Sequence, residues 1–148
     1  MKIDPLSPAS ILLVDDNSHG LVARRMILQE IGHTVATAHS GEEAWELFQK
    51  TAFDLVVTDY RMGGMDGLEL IRLIRASGSP ARVILLSGFV GCLGMTDAAT
   101  GADEVIAKSS KEVPELLRAV RKLAHQPPRR KPGSSTRKSG QLKVTQAG

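Results

Sequence analysis

Apolar residues cluster in five short runs, at positions 11–14, 33–38, 55–58, 83–86 and 104–107. They show little polar alternation, which is the pattern of parallel strands covered on both faces. The run at 33–38, rich in Val and Thr, is the weakest of the five. Between the runs, apolar positions recur at helical spacing. Leu21, Ile27, Leu28 and Ile31 form one stripe, with Gly32 placed to end the helix. Ala44, Leu47 and Phe48 form a second, after Ser40-Gly41-Glu42-Glu43, whose acids suit a helix N-terminus. Leu70, Ile71 and Ile74 follow Asp66-Gly67, and Val113, Leu116, Leu117 and Val120 form the last stripe, with Pro114 tolerable in its first turn. Repeated strand–helix units predict an α/β fold with a doubly wound parallel sheet and right-handed crossovers.

One unit departs from the pattern. Between Ser87 and Gly101 the chain carries three glycines, each costing a helix about 0.8–1 kcal/mol relative to alanine. A long loop and a short helix over 96–100 are expected there. After His125, Pro, Gly, Ser and basic residues replace the apolar periodicity, so 126–148 reads as a disordered basic tail, 10–125 as the folded domain and 1–9 as an N-terminal arm.

Charge sharpens this division. The net charge is +3, yet six basic residues and no acids lie beyond His125, and the preceding chain is mildly acidic. The tail is expected to be a solvated end, with attraction to phosphates or acidic surfaces as the alternative. Cys92 is the single cysteine, so no intrachain disulfide or cysteine zinc cluster forms, and no basic neighbour marks it as a reactive thiol. His19, His33, His39 and His125 have no ligand spacing and receive no role. Aromatic residues make up 3%, too few for a platform stacking single-stranded nucleic acid, and Trp45 is expected to pack along its helix or to lie partly exposed. No secretion signal or membrane span is evident, so a cytoplasmic location is expected.

The chemistry lies at the ends of the runs. The first strand ends in Asp15-Asp16, the third at Asp59, the fourth at Ser87 and the fifth at Lys108. Ligands of open parallel sheets bind outside the carboxyl ends of the strands. Three carboxylates, a hydroxyl and an ammonium are thereby predicted around one crevice. Mg²⁺ favours such oxygen ligands, and its charge, with that of Lys108, would relieve the crowding of the acids. Asp59 would then be both ligand and nucleophile toward a phosphoryl group whose oxygens meet Mg²⁺, Lys108 and Ser87. Each residue also has a plainer reading: Asp15-Asp16 as a helix cap, Asp59 as a turn residue, Ser87 as a backbone hydrogen-bonder and Lys108 as a surface lysine. Their convergence favours the chemical reading.

Five ordered pieces carry a resemblance: Ile-Leu-Leu-Val-Asp-Asp (11–16), Asp-Leu-Val-Val-Thr-Asp-Tyr-Arg-Met (54–62), Gly-Met-Asp-Gly-Leu-Glu-Leu (64–70), Leu-Ser-Gly (86–88) and Gly-Ala-Asp-Glu-Val-Ile-Ala-Lys (101–108). Over roughly residues 10–125 the sequence resembles the receiver domain of two-component response regulators. The resemblance implies a flavodoxin-like five-stranded sheet in the order 2-1-3-4-5. It implies Asp15 and Asp16 as a metal-binding pair, Asp59 as phosphoacceptor and the backbone carbonyl of Arg61 as a further Mg²⁺ ligand. Ser87 and Lys108 would contact the phosphoryl group, and Arg61 and Phe89 would influence hydrolysis. The implied donor is a phosphohistidine on a sensor histidine kinase or histidine phosphotransfer protein. The implied output is contact with a downstream protein through the fourth helix, fifth strand and fifth helix. The 23 residues after His125 are too few for a DNA-binding domain.

Three departures fall on the output side. Ser109 stands where receivers usually have a proline in a cis peptide, so a trans Lys108–Ser109 bond is expected. Val105 replaces a frequent switch Tyr or Phe, and Gly63 replaces a common proline. Val105 and Ser109 keep open a degenerate receiver that binds partners without phosphorylation, against which the intact acidic triad argues. A phosphatase of the haloacid dehalogenase type fits poorly, because the first strand lacks an Asp-x-Asp nucleophile segment. An FMN-binding flavodoxin also fits poorly, because no hydroxyl-rich loop follows the first strand. The expected role is a signalling module, not an enzyme with a separate substrate.

Overall fold

The computed structural model describes residues 8–88 and 97–124. The expectations for Phe89, Cys92, the arm before residue 8 and the basic tail lie outside the described residues. Ten elements alternate along the chain: β1 (Ser10–Val14), α1 (Ser18–Glu30), β2 (Thr34–Ala38), α2 (Gly41–Lys50), β3 (Leu55–Asp59), α3 (Gly67–Ala76), β4 (Arg82–Ser87), α4 (Asp97–Thr100), β5 (Glu104–Ala107) and α5 (Glu112–Ala124). All pairings are parallel and the sheet order is β2-β1-β3-β4-β5, as expected. The flavodoxin-like α/β architecture is therefore observed, and the glycine-rich stretch leads into an α4 of 4 residues. Lys108–Ser109 is trans, since the described residues hold no cis peptide bond.

Alternation along the strands divides the core between the two faces of the sheet. Ile11, Leu13, Leu55, Val57, Ile84 and Leu86 pack with Leu21 and Leu28 of α1 and with Leu116, Val120 and Leu123 of α5. Leu12, Val14, Val56, Val83 and Leu85 face the other way, onto Ala44 of α2 and Leu70, Ile71 and Ile74 of α3. Fully burying a side chain of this size contributes about 1.5–3 kcal/mol, so both faces hold the sheet firmly. Trp45 lies along α2 as expected, stacked on Phe48 at 6.0 Å between ring centres, and Phe48 stacks in turn on Phe53 at 6.3 Å.

Local chemistry fixes the helix starts. Asn17, not the acidic pair before it, caps α1 by accepting from the Gly20 N–H. Ser40 caps α2 through the Glu43 N–H, and Asp66 and Glu69 form a reciprocal capping box at α3. His33 is buried just before β2, where its Nδ1 accepts the Ala9 N–H at 3.0 Å. No ligand spacing among the histidines marks His33 for this structural part.

Candidate functional site

The sheet order carries the predicted residues to one edge. Asp15 follows β1, Asp59 ends β3, Ser87 ends β4 and Lys108 follows β5. Backbone hydrogen bonds continue the ladders past the strand ends: Asp15 N–H donates to Ala38 C=O, Tyr60 N–H to Leu86 C=O and Lys108 N–H to Ser87 C=O. Asp15, Asp59 and Ser87 are buried, whereas Asp16 is exposed at the mouth.

One carboxylate oxygen from each of Asp15, Asp16 and Asp59 lies within 4.8 Å of the others. That spacing and that all-oxygen donor set fit a small hard cation, whose opposite ligands at about 2.0–2.1 Å stand some 4 Å apart. Asp59 Oδ1 adds to the fit. It is buried, and it is ion-paired with the Lys108 ammonium at 2.5 Å. Burial pushes the Asp59 carboxyl up to about 6; the Lys108 hydrogen bond opposes this, the Asp15 charge adds to it, and the Lys108 and Arg24 charges oppose it. A second cation there would shift the group toward its ionised, nucleophilic form.

The rest of the nest comes from the loop between β3 and α3. Arg61 sits there two residues past Asp59, and Met62 anchors the loop in the core. Gly63 donates its N–H to Asp16 Oδ2 at 3.3 Å, a bond that the proline common at this position could not make. Glu42 of α2 holds the same loop by accepting the Met65 N–H at 3.0 Å. Val105, opposite Leu85 in the β4–β5 register, is half-buried against the α2–α3 side of the core.

Two functional neighbours escaped the sequence reading. Arg24 of α1 donates through Nη1 to Asp15 Oδ2 at 2.6 Å and through Nε to Glu112 Oε2 of α5 at 2.7 Å. A signal for Arg24 was present: it falls three residues after Leu21 and four before Leu28, on the inward stripe of its helix. Nothing in the sequence marked Glu112, 88 residues away, as its partner.

Comparison with known proteins agrees with this geometry. The family model described as the response regulator receiver domain matches residues 11–121. The virulence sensor protein BvgS of Bordetella bronchiseptica is 38% identical over 106 residues, covering 66% of this chain and 9% of BvgS. The chain likewise spans 8% of histidine kinase 5 of Arabidopsis thaliana and 25% of the regulatory protein AlgB of Pseudomonas aeruginosa, a small part of each. The response regulator protein TrrA from Thermotoga maritima, solved in complex with Mg²⁺-BeF, is 36% identical, with a TM-score of 0.70, covering 78% of this chain and 98% of TrrA. TrrA in complex with the histidine kinase ThkA gives a TM-score of 0.69 at 36% identity, covering 78% and 97% of the two chains. Among the described residues, no helix is long and apolar enough to cross a membrane.

Proposed function

Because the chain belongs to the response regulator receiver domain family of two-component systems, we propose that it accepts a phosphoryl group on Asp59 from a phosphohistidine donor. The observation that carries this reading is the convergence of the Asp15, Asp16 and Asp59 carboxylates beside the Lys108–Asp59 ion pair. Asp15, Asp16, Asp59 and the Arg61 carbonyl are the proposed Mg²⁺ ligands. Bound there, Mg²⁺ would neutralise charge on the phosphoryl oxygens and on the crowded acids.

The chain's own groups do the remaining work. A carboxylate oxygen of Asp59 attacks phosphorus in line, forming an O–P bond as the P–N bond to the donor imidazole breaks and its electron pair returns to nitrogen. Lys108 shifts from pairing with Asp59 to a phosphoryl oxygen, and the Ser87 hydroxyl donates to another. The walls of β1, β3 and β4 hold the acceptor still, which is where most of the catalysis in phosphoryl transfer lies. The product is a changed charge at the sheet edge, read by a partner protein. A histidine kinase or phosphotransfer protein is the proposed donor, and the α4–β5–α5 face the proposed output surface.

Intact mass after incubation with acetyl phosphate tests the reading. A single Mg²⁺-dependent phosphoryl adduct in the wild type, absent from Asp59→Ala, is expected. Failure to form the adduct together with failure to bind beryllofluoride would overturn it in favour of a phosphorylation-independent interaction domain.

A further inference from the structure

Each of the three predicted carboxylate ligands already has a partner in the fold: Lys108 on Asp59, the Gly63 N–H on Asp16 and Arg24 on Asp15. Asp15 Oδ1 accepts the Asn17 N–H at 2.9 Å, and its Oδ2 accepts from Arg24 at 2.6 Å. Both oxygens are therefore engaged. The Arg24 side chain is 12% exposed and that of Asp15 is 3% exposed, so water does little to weaken the pair. Arg24 is gripped from its other side by Glu112, whose Oε2 receives Nε and Nη2, each at 2.7 Å. Gly20 keeps the path open: a Cβ there would stand 3.1 Å from Asp15 Oδ2 and 3.2 Å from Arg24 Nη1. Burial works against the Arg24 charge, but the Glu112 and Asp15 carboxylates outweigh it and hold the guanidinium above its usual range.

We propose that Arg24 is a positioning residue that serves as the resident counter-ion of Asp15, competing with the divalent cation for Oδ2 and passing to Glu112 when the cation binds. The proposal rests on the reading of Asp15, Asp16 and Asp59 as the metal site. A cation that takes Oδ2 must draw it from Arg24 or crowd a second positive charge beside the first. Glu112 is the first residue of α5, so the hand-over ties loading of the site to the start of that helix. Without Arg24, Asp15 would be a freer ligand; without Glu112, Arg24 would lean on Asp15 alone.

Calorimetric Mg²⁺ titration of the full chain separates these roles, with circular dichroism to verify folding. Arg24→Met, which keeps the apolar stem, is expected to bind Mg²⁺ about tenfold or more tightly, the scale on which an adjacent Arg changes proton binding by a carboxylate. Arg24→Gln takes its place if the Met variant does not fold. Arg24→Lys, which keeps the charge, is expected to remain close to wild type. Glu112→Gln should weaken binding about threefold, as befits a partly exposed charge pair. It should have no effect when combined with Arg24→Met, whereas general electrostatics would give the same loss in both backgrounds. Equal affinity in the wild type and the neutral Arg24 variant, or a Glu112→Gln effect that persists without Arg24, overturns the proposal. Absence of Mg²⁺ binding in every variant overturns the metal-site reading, and the proposal with it.

Discussion

Gly67 packs directly against the backbone of Asp59: a Cβ at Gly67 would come within 2.3 Å of the Asp59 carbonyl oxygen. The Gly67 N–H also donates to the Tyr60 C=O at 2.9 Å, so α3 begins stitched to the residue after Asp59. Gly67→Ala is expected to destabilise the chain at the upper end of the about 1–3 kcal/mol typical of overpacking, because a backbone atom cannot step aside. Urea unfolding measures the loss. An unchanged midpoint would mean that this contact relaxes freely.

Asp59 links stability to pH. Its carboxyl ionises at about 6 in the folded chain against an ordinary value of 3.8, so folding favours the protonated form. The stabilisation is full below about pH 4 and is lost as pH rises through about 6, with a total on the order of 2–3 kcal/mol. In EDTA, Asp59→Asn should gain stability over wild type as the pH is raised from 4 to 7. Added Mg²⁺ should raise the melting temperature of the wild type at pH 7 and leave the variant nearly unmoved. Parallel pH profiles for the two proteins would refute this account of the buried charge.

Lys108 acts on the same group with the opposite sign, lowering the Asp59 value through its hydrogen bond and charge. Lys108→Ala should raise the pH at which Asp59 becomes reactive. It should also slow labelling by acetyl phosphate by about 10²-fold, the scale of removing one donor to developing negative charge. Adduct formation followed by mass against time, at several pH values, gives both quantities. Wild-type labelling rates in the variant would remove Lys108 from the chemistry.

His33 receives a buried backbone donor, the Ala9 N–H. His33→Leu fills the space but leaves that N–H unpaired, at an expected cost of about 1–3 kcal/mol. Thermal denaturation at pH 7.5 tests it, and an unaltered midpoint would mean that the donor finds another acceptor.

The contrast between these residues shows what sequence pattern conveys. Asp15, Asp16, Asp59, Ser87 and Lys108 were legible because each ends an apolar run, and a parallel sheet has only one edge where such ends meet. The expected trans bond at Lys108–Ser109 followed from proline chemistry alone. His33 and Glu112 were not legible. Their partners, Ala9 and Arg24, lie 24 and 88 positions away, and only the closed fold brings them within reach. Arg24 was half-legible, a charge on an inward stripe whose purpose depended on an end of the sheet still unseen. Strand limits moved by a residue where ladder bonds continue past the apolar run, as at Asp59 and Ser87.

The order β2-β1-β3-β4-β5 puts the ammonium just past an edge strand, the last of the five in the chain. Asp15, Asp16 and Asp59 all precede it, and Lys108 follows Asp15 by 93 positions. Before the final strand and helix form, the three acids would lack Lys108 and Arg24 would lack Glu112. The proposed reactivity would thus wait on the last crossover. On the proposed chemistry, a phosphoryl donor would meet a complete site only once β5 and α5 have docked.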